Sequence, residues 1–188
     1  VNTFLLIAIL ALLAERSSSG ATDEKLPVNG VPVGATAGLP PRWLNFLSFT
    51  ALLFTAVTGA IAALGDTLFP ATSLAEGFAQ DLSPTAHFLI QLRVLHPLVA
   101  IGAGVLWIHL AQRIRAAAPA GARAGFWARW TIAFVLAQFA VGLLTLALLA
   151  PVAMQLLHLL GADLVWIAGV LLVDSTRRGS PAGFAPAS

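Results

Sequence analysis

The chain has 188 residues, of which 59% are hydrophobic and 10% charged, and its mean hydropathy is +0.90; soluble domains carry charge on about a quarter of their residues, so this composition excludes one and indicates a membrane protein. Ten Lys and Arg against eight Asp and Glu leave a net charge of +2, too thinly spread to track a phosphate backbone, so no nucleic-acid partner is expected. With no cysteine there is no disulfide, thiolate metal site or cysteine nucleophile, and any metal must rest on the four His, the one Met or a carboxylate.

Residues 1–14 are apolar but stop at Glu15-Arg16, too short to span a membrane. They read either as the remainder of a transmembrane helix from a missing N-terminal half, which the absent basic n-region favours, or as a signal peptide without its start. Residues 15–41, with Ser17-Ser18-Ser19-Gly20 and Pro27, Pro32, Pro40 and Pro41, read as an exposed cytoplasmic linker.

Four stretches, 43–64, 88–111, 130–150 and 152–173, each reach the ~20 apolar residues that cross ~30 Å of hydrocarbon. None shows the alternation of a barrel strand, so helices are expected. The expected fold class is an all-α membrane protein. It has a four-transmembrane-helix bundle over residues 42–174, a truncated N-terminal transmembrane helix and a cytoplasmic tail over 175–188. Between the first two spans, Ser73-Leu74-Ala75-Glu76 opens like a capping box, predicting a short interfacial helix that ends by Ser83-Pro84 and covers the outer mouth of the bundle.

Cations set the orientation. Arg16, Lys25 and Arg42 precede the first full span, Arg113, Arg115, Arg123 and Arg129 separate the second and third, and Arg177 and Arg178 follow the fourth. The loop of residues 65–86 holds Asp66, Glu76 and Asp81 without Lys or Arg. The positive-inside rule places both chain ends in the cytoplasm of a multi-pass inner-membrane protein.

Arg93 and His96 lie inside the second span and His158 and Asp163 inside the fourth, where an ionisable group costs about 2.5–3.5 kcal/mol and faces a partner in the bundle interior. At ~1.5 Å per residue, His96 lies roughly 12 Å and His158 roughly 9 Å below the outer end. Two imidazoles at one level on two helices are what a six-coordinate haem iron requires, and Arg93, at i−3 from His96, is placed to meet a haem propionate. Gly102 and Gly104 on one helix, and Gly161 and Ala162 on the other, would admit a close neighbour or a ring. His96 and His158 are therefore the candidate metal ligands and, with Arg93, the candidate cofactor-binding residues. The plainer readings stand beside this one: a membrane histidine also serves as a helix–helix hydrogen-bond partner, and a small-residue face as a packing surface. His87, about 180° from His96 on the helical wheel, reads as an interfacial hydrogen-bonding residue. His109 reads as an interface anchor, and Met154 as a core or haem-edge contact. Asp163, about 140° off the face of His158, has no assigned role.

Gly65-Asp66-Thr67-Leu68-Phe69-Pro70, Ser83-Pro84-Thr85-Ala86-His87-Phe88, Arg93-Val94-Leu95-His96-Pro97 and the run from Leu157-His158 to Val165-Trp166 together resemble the second half of the haem A synthase (CtaA-type) family over about residues 43–174. The resemblance implies two fused four-helix halves, the second holding haem b between two histidines that map onto His96 and His158. The first half holds haem O and an essential glutamate, for which Arg93 stands at the Glu-x-x-His position here. No residue of this chain is therefore assigned a catalytic role. Residues 1–14 would be the inner remainder of the fourth family helix. The implied activity is oxidation of a haem O methyl group to a formyl group for terminal oxidase assembly. This chain would contribute haem b binding within the lipid membrane, beside the missing half or a second four-helix unit, and with a haem O synthase or terminal oxidase as partner. The alternatives are a non-enzymatic b-type cytochrome or the membrane anchor of a respiratory complex, and a structural subunit with no cofactor.

Overall fold

The computed structural model describes residues 2–20 and 38–178. Its elements are α1 (Asn2–Gly20), α2 (Arg42–Leu68), α3 (Leu74–Asp81), α4 (Phe88–Arg93), α5 (Leu95–Ala117), α6 (Arg123–Ala147) and α7 (Val152–Arg178), with no strand among the described residues. Four helical stretches, namely α2, α4 with α5, α6, and α7, are long and apolar enough to cross a membrane. The protein is an all-helical, multi-pass membrane protein with an additional N-terminal helix. Residues 21–37 of the expected linker, Lys25 among them, and residues 179–188 of the expected tail lie outside the described residues.

Two boundaries differ from the sequence reading. The first helix runs on to Gly20 rather than ending at residue 14. Its polar turn has partners on the bundle: Glu15 pairs with Arg123 of α6, and Arg16 lies 3.9 Å from Asp174 of α7. Lower down, the Trp166 indole N–H donates to the Phe4 carbonyl at 2.9 Å, and the two rings lie 5.0 Å apart. Ion pairs and a docked aromatic thus hold a helix whose Ser-rich end has little intrinsic helix preference.

The second span is not one helix but two, α4 and α5, parted at Val94. Pro97 is the cause. It lacks the N–H that would bond the Arg93 carbonyl four residues back, and its ring crowds that same carbonyl. The break falls three residues before Pro97 and directly before the turn that carries His96.

Neighbouring helices pack in the order α2, α5, α6, α7, while α2 and α7 approach each other at few positions. α5 and α7 therefore stand diagonally, as do α2 and α6. The tight core lies toward the cation-rich end, where Trp107, Leu110, Ile114, Leu172, Ser48 and Thr131 are fully buried. The Trp107 indole N–H donates to the Ser48 carbonyl at 2.9 Å, and Phe49 packs edge-on against both Trp107 and Trp166, with centroids 5.0 and 5.1 Å away. In the opposite half, Leu156, Leu157, Leu159 and Leu160 of α7 are 62%, 48%, 57% and 56% exposed; at about 100° per residue they share one side of the helix, turned away from His158, and that side faces lipid.

The turn joining α6 to α7 is short and strained. Leu149 and Ala150 both have positive φ, 62° and 51°, a conformation that disfavours residues with a Cβ. The Ala150 N–H bonds the Thr145 carbonyl at 2.8 Å, and the Gln155 side-chain amide donates to the Ala150 carbonyl at 2.6 Å. Pinned at this corner, the two helices run back side by side in fixed register.

Candidate functional site

The half of the bundle away from the cation-rich end contains the two candidate ligands. His96 comes from the first turn of α5 and His158 from the second turn of α7, and the diagonal placement of these helices aims both rings at the bundle axis. Their centroids are 6.4 Å apart and their planes nearly perpendicular, at 89°. Counting residues from the outer ends therefore brings together side chains 62 positions apart in sequence, from 96 to 158.

Each ring lies against a glycine of a neighbouring helix. A Cβ at Gly59 of α2 would stand 3.0 Å from His96 Cε1, and one at Gly142 of α6 would stand 3.0 Å from His158 Cε1. Glycine, imidazole, imidazole and glycine thus form a row across the bundle, one from each helix. The glycines singled out in the sequence have other tasks. Gly104 makes room for the Phe139 ring and Gly161 for the Gln138 side chain, while a Cβ at Gly102 would meet nothing within 4 Å. Gly59 and Gly142 escaped the sequence reading because each serves a histidine on another helix, and no intrahelical spacing records that.

Polar neighbours hold the rings differently. The Thr58 hydroxyl lies 3.2 Å from His96 Nδ1. On the other side, the Gln138 amide donates to the His158 backbone carbonyl at 2.7 Å, tying α6 to α7 at the ligand's own turn. His158 Nδ1 is buried and has no hydrogen-bond partner. A buried polar atom left in that state costs about 1–3 kcal/mol.

Arg93 is committed elsewhere. Its Nε and Nη2 donate to Asp81 Oδ1 at 2.8 and 2.6 Å, and its Nη1 donates to Asp66 Oδ1 at 2.8 Å. Val94 keeps helical dihedrals, φ −63° and ψ −26°, so the i−3 relation to His96 persists through the lapse in hydrogen bonding, but the guanidinium turns to the two carboxylates. The guanidinium instead clamps the end of α3 to the end of α2. This also gives the loop motifs a physical meaning. Gly65 lets the α4 backbone approach, since a Cβ there would lie 3.2 Å from the Leu89 carbonyl oxygen, and Asp66 supplies the arginine's first carboxylate.

The predicted interfacial helix is α3. Ser73 caps it by accepting from the Glu76 N–H at 3.2 Å. Glu76 reaches back one residue further than a capping box would, accepting from the Thr72 N–H at 2.8 Å and from the Thr72 hydroxyl. Those donors hold the Glu76 carboxyl below its ordinary range. His87 caps α4, its Nδ1 accepting from the Leu89 N–H at 3.3 Å, and its ring lies 4.9 Å from that of Phe69. His109 is exposed, and Met154 and Asp163 are half-buried.

The donor set fits a haem iron. Two metal–nitrogen bonds of about 2 Å each, taken with the imidazole radius, put the centroids of opposed ligands about 6.3 Å apart, close to the 6.4 Å here. Among the described residues no cluster of three or more His, Cys, Asp or Glu could hold a metal ion. A pair of imidazoles alone suits an ion whose remaining ligands come from a macrocycle.

Fold and site together define a class: a multi-pass helical membrane protein with facing intramembrane histidines on diagonal helices. The COX15-CtaA family model, described as cytochrome oxidase assembly protein, matches residues 1–170, and the chain belongs to that family. Proteins from two strains of Thermus thermophilus, both named Protoheme IX farnesyltransferase, are 40% and 39% identical to it over 180 residues. Each match covers 95% of this chain and 28% of the relative, so the chain spans little more than a quarter of those proteins. No solved structure matches.

Proposed function

We propose that this chain is the haem-b-binding part of a haem A synthase, with His96 and His158 as the residues that would hold the haem iron. The enzyme as a whole would oxidise a methyl group of haem O to a formyl group, supplying terminal oxidases. The 6.4 Å separation of the imidazoles carries the proposal, and membership of a cytochrome oxidase assembly family supports it. A haem held by these two imidazoles would supply one-electron transfer.

The chain's own residues do the holding. Gly59 and Gly142 make room for the rings, and Gln138 fixes the His158 turn. Arg93 gives three of its N–H groups to Asp66 and Asp81; of the five that a guanidinium carries, the remainder are those available to a propionate. The cation-rich ends of the helices face the cytoplasm in this reading, which places the haem toward the outer side of the inner membrane. The farnesyltransferase name of the relatives describes proteins much longer than this match. We assign prenyl transfer to their remaining length, and a haem O synthase or terminal oxidase is the protein partner that the shared pathway implies.

The test is the absorbance spectrum of natively purified His96→Ala and His158→Ala variants. Each is expected to lose the low-spin bands of the parent. Unchanged low-spin spectra in both variants would refute the ligand assignment. Low-spin haem in a full chain that has no part in haem A formation would turn the reading to a b-type electron carrier.

A further inference from the structure

We infer that Thr58 is a positioning residue for His96, fixing its proton on Nδ1 and leaving Nε2 as the nitrogen open to a metal. The inference rests on the haem-binding reading of the histidine pair and adds to it which nitrogen is offered and what holds it there.

The protons available at Thr58 set the direction of its contacts. The Thr58 hydroxyl lies 3.0 Å from the Thr55 carbonyl oxygen and 3.2 Å from His96 Nδ1. A hydroxyl has one proton and a carbonyl has none, so the contact with Thr55 takes the Thr58 proton. Both contacts are satisfied together when the hydroxyl oxygen accepts from a protonated Nδ1, and the Thr55 carbonyl, itself a hydrogen-bond partner of His96, favours the same protonated nitrogen. A neutral imidazole protonated at Nδ1 presents its free electron pair at Nε2. The residue is 3% exposed, so solvent does not compete for the contact. Gly59, the next residue of α2, admits the Cε1 edge of the same ring. Two consecutive residues of one helix thereby set the ring's tautomer and its position.

The two ligands are unequal in this respect. His158 Nδ1 has no hydrogen-bond partner, and its turn is held through its backbone carbonyl instead. An acceptor on the distal N–H makes an imidazole a more basic ligand, which favours the oxidised iron. The Thr58 contact is thus expected to lower the reduction potential of the bound group, with no matching contribution at His158.

The test uses the full chain with ¹⁵N-labelled histidine, first without haem. The His96 signals, assigned by their loss in His96→Ala, are expected to show a protonated Nδ1 and an unprotonated Nε2. In Thr58→Val, close in shape but without the acceptor, the proton should move toward Nε2; Thr58→Ser should keep the parent pattern. The same three proteins are then loaded with haem and titrated. The midpoint potential should rise in Thr58→Val and return to the parent value in Thr58→Ser, a rescue that a purely steric role would not give. A parent protein protonated at Nε2, or a Thr58→Val variant with the parent's nitrogen signals and potential, would overturn the inference. Failure of the protein to take up haem would refute the haem-binding reading, while the nitrogen spectrum would still decide the role of Thr58.

Discussion

Gly142→Val and Gly59→Val are each expected to lower haem occupancy at least tenfold, whereas Gly102→Val should leave it at the parent level. At Gly142 and Gly59 a bare Cβ already comes to 3.0 Å from an imidazole carbon, tighter than ordinary van der Waals contact. The two methyl groups of valine would reach further and force the ring out of line. Overpacking of this kind costs about 1–3 kcal/mol, and a tenfold loss of affinity corresponds to about 1.4 kcal/mol. Gly102 shares a helix with His96, but a Cβ there meets nothing within 4 Å, so it controls for the loss of a glycine as such. Haem-to-protein ratio after native purification, followed by titration of stripped protein with haemin, reads the effect. Equal occupancy in all three variants would show that the glycine–imidazole row does not shape the site.

Arg93→Gln is expected to destabilise the protein by about 2 kcal/mol and to release α3 from the bundle. The guanidinium is 13% exposed and its partners Asp66 and Asp81 are 28% and 18% exposed. Breaking a fully buried pair costs about 3–5 kcal/mol because the orphaned charge remains, and partial exposure of the carboxylates lowers that figure. Without the arginine the two acids repel each other across the gap it had filled. The double variant Arg93→Gln with Asp81→Asn should therefore be more stable than the sum of the two singles implies. Arg93→Lys should rescue only in part, since a single ammonium cannot reproduce the fork that meets both carboxylates. Thermal unfolding in detergent and hydrogen exchange of the α3 amides measure these effects. An Arg93→Gln protein that unfolds with the parent and keeps α3 protected would remove the clamp from the account.

The spans and the histidine pair were legible in the sequence because both depend on quantities that accumulate along a helix. Apolar length gives the membrane crossing, and residue count gives depth, so His96 and His158 could be matched without knowing how the helices pack. Arg93 shows where that reasoning stops. Its spacing from His96 could be read along one helix, but the carboxylates that hold it could not: Asp66 and Asp81 lie 27 and 12 positions away, on two other elements. Gly59, Gly142 and Thr58 were illegible for a related reason. A glycine or threonine in an apolar run looks the same whether it faces lipid, a helix or an imidazole, and only the packing order of the four helices distinguishes these. The continuation of α1 through Ser17-Ser18-Ser19-Gly20 belongs here too, since the Glu15–Arg123 and Arg16–Asp174 pairs lie on elements far along the chain.

The central claim is that His96 and His158 hold one haem b between them, and the most direct measurement is the reduced-minus-oxidised absorbance spectrum of the natively purified full chain with pyridine haemochrome analysis. The account predicts one low-spin, b-type haem per chain. A folded, colourless protein that takes up no haemin would contradict it and would leave the facing histidines as a structural contact between helices.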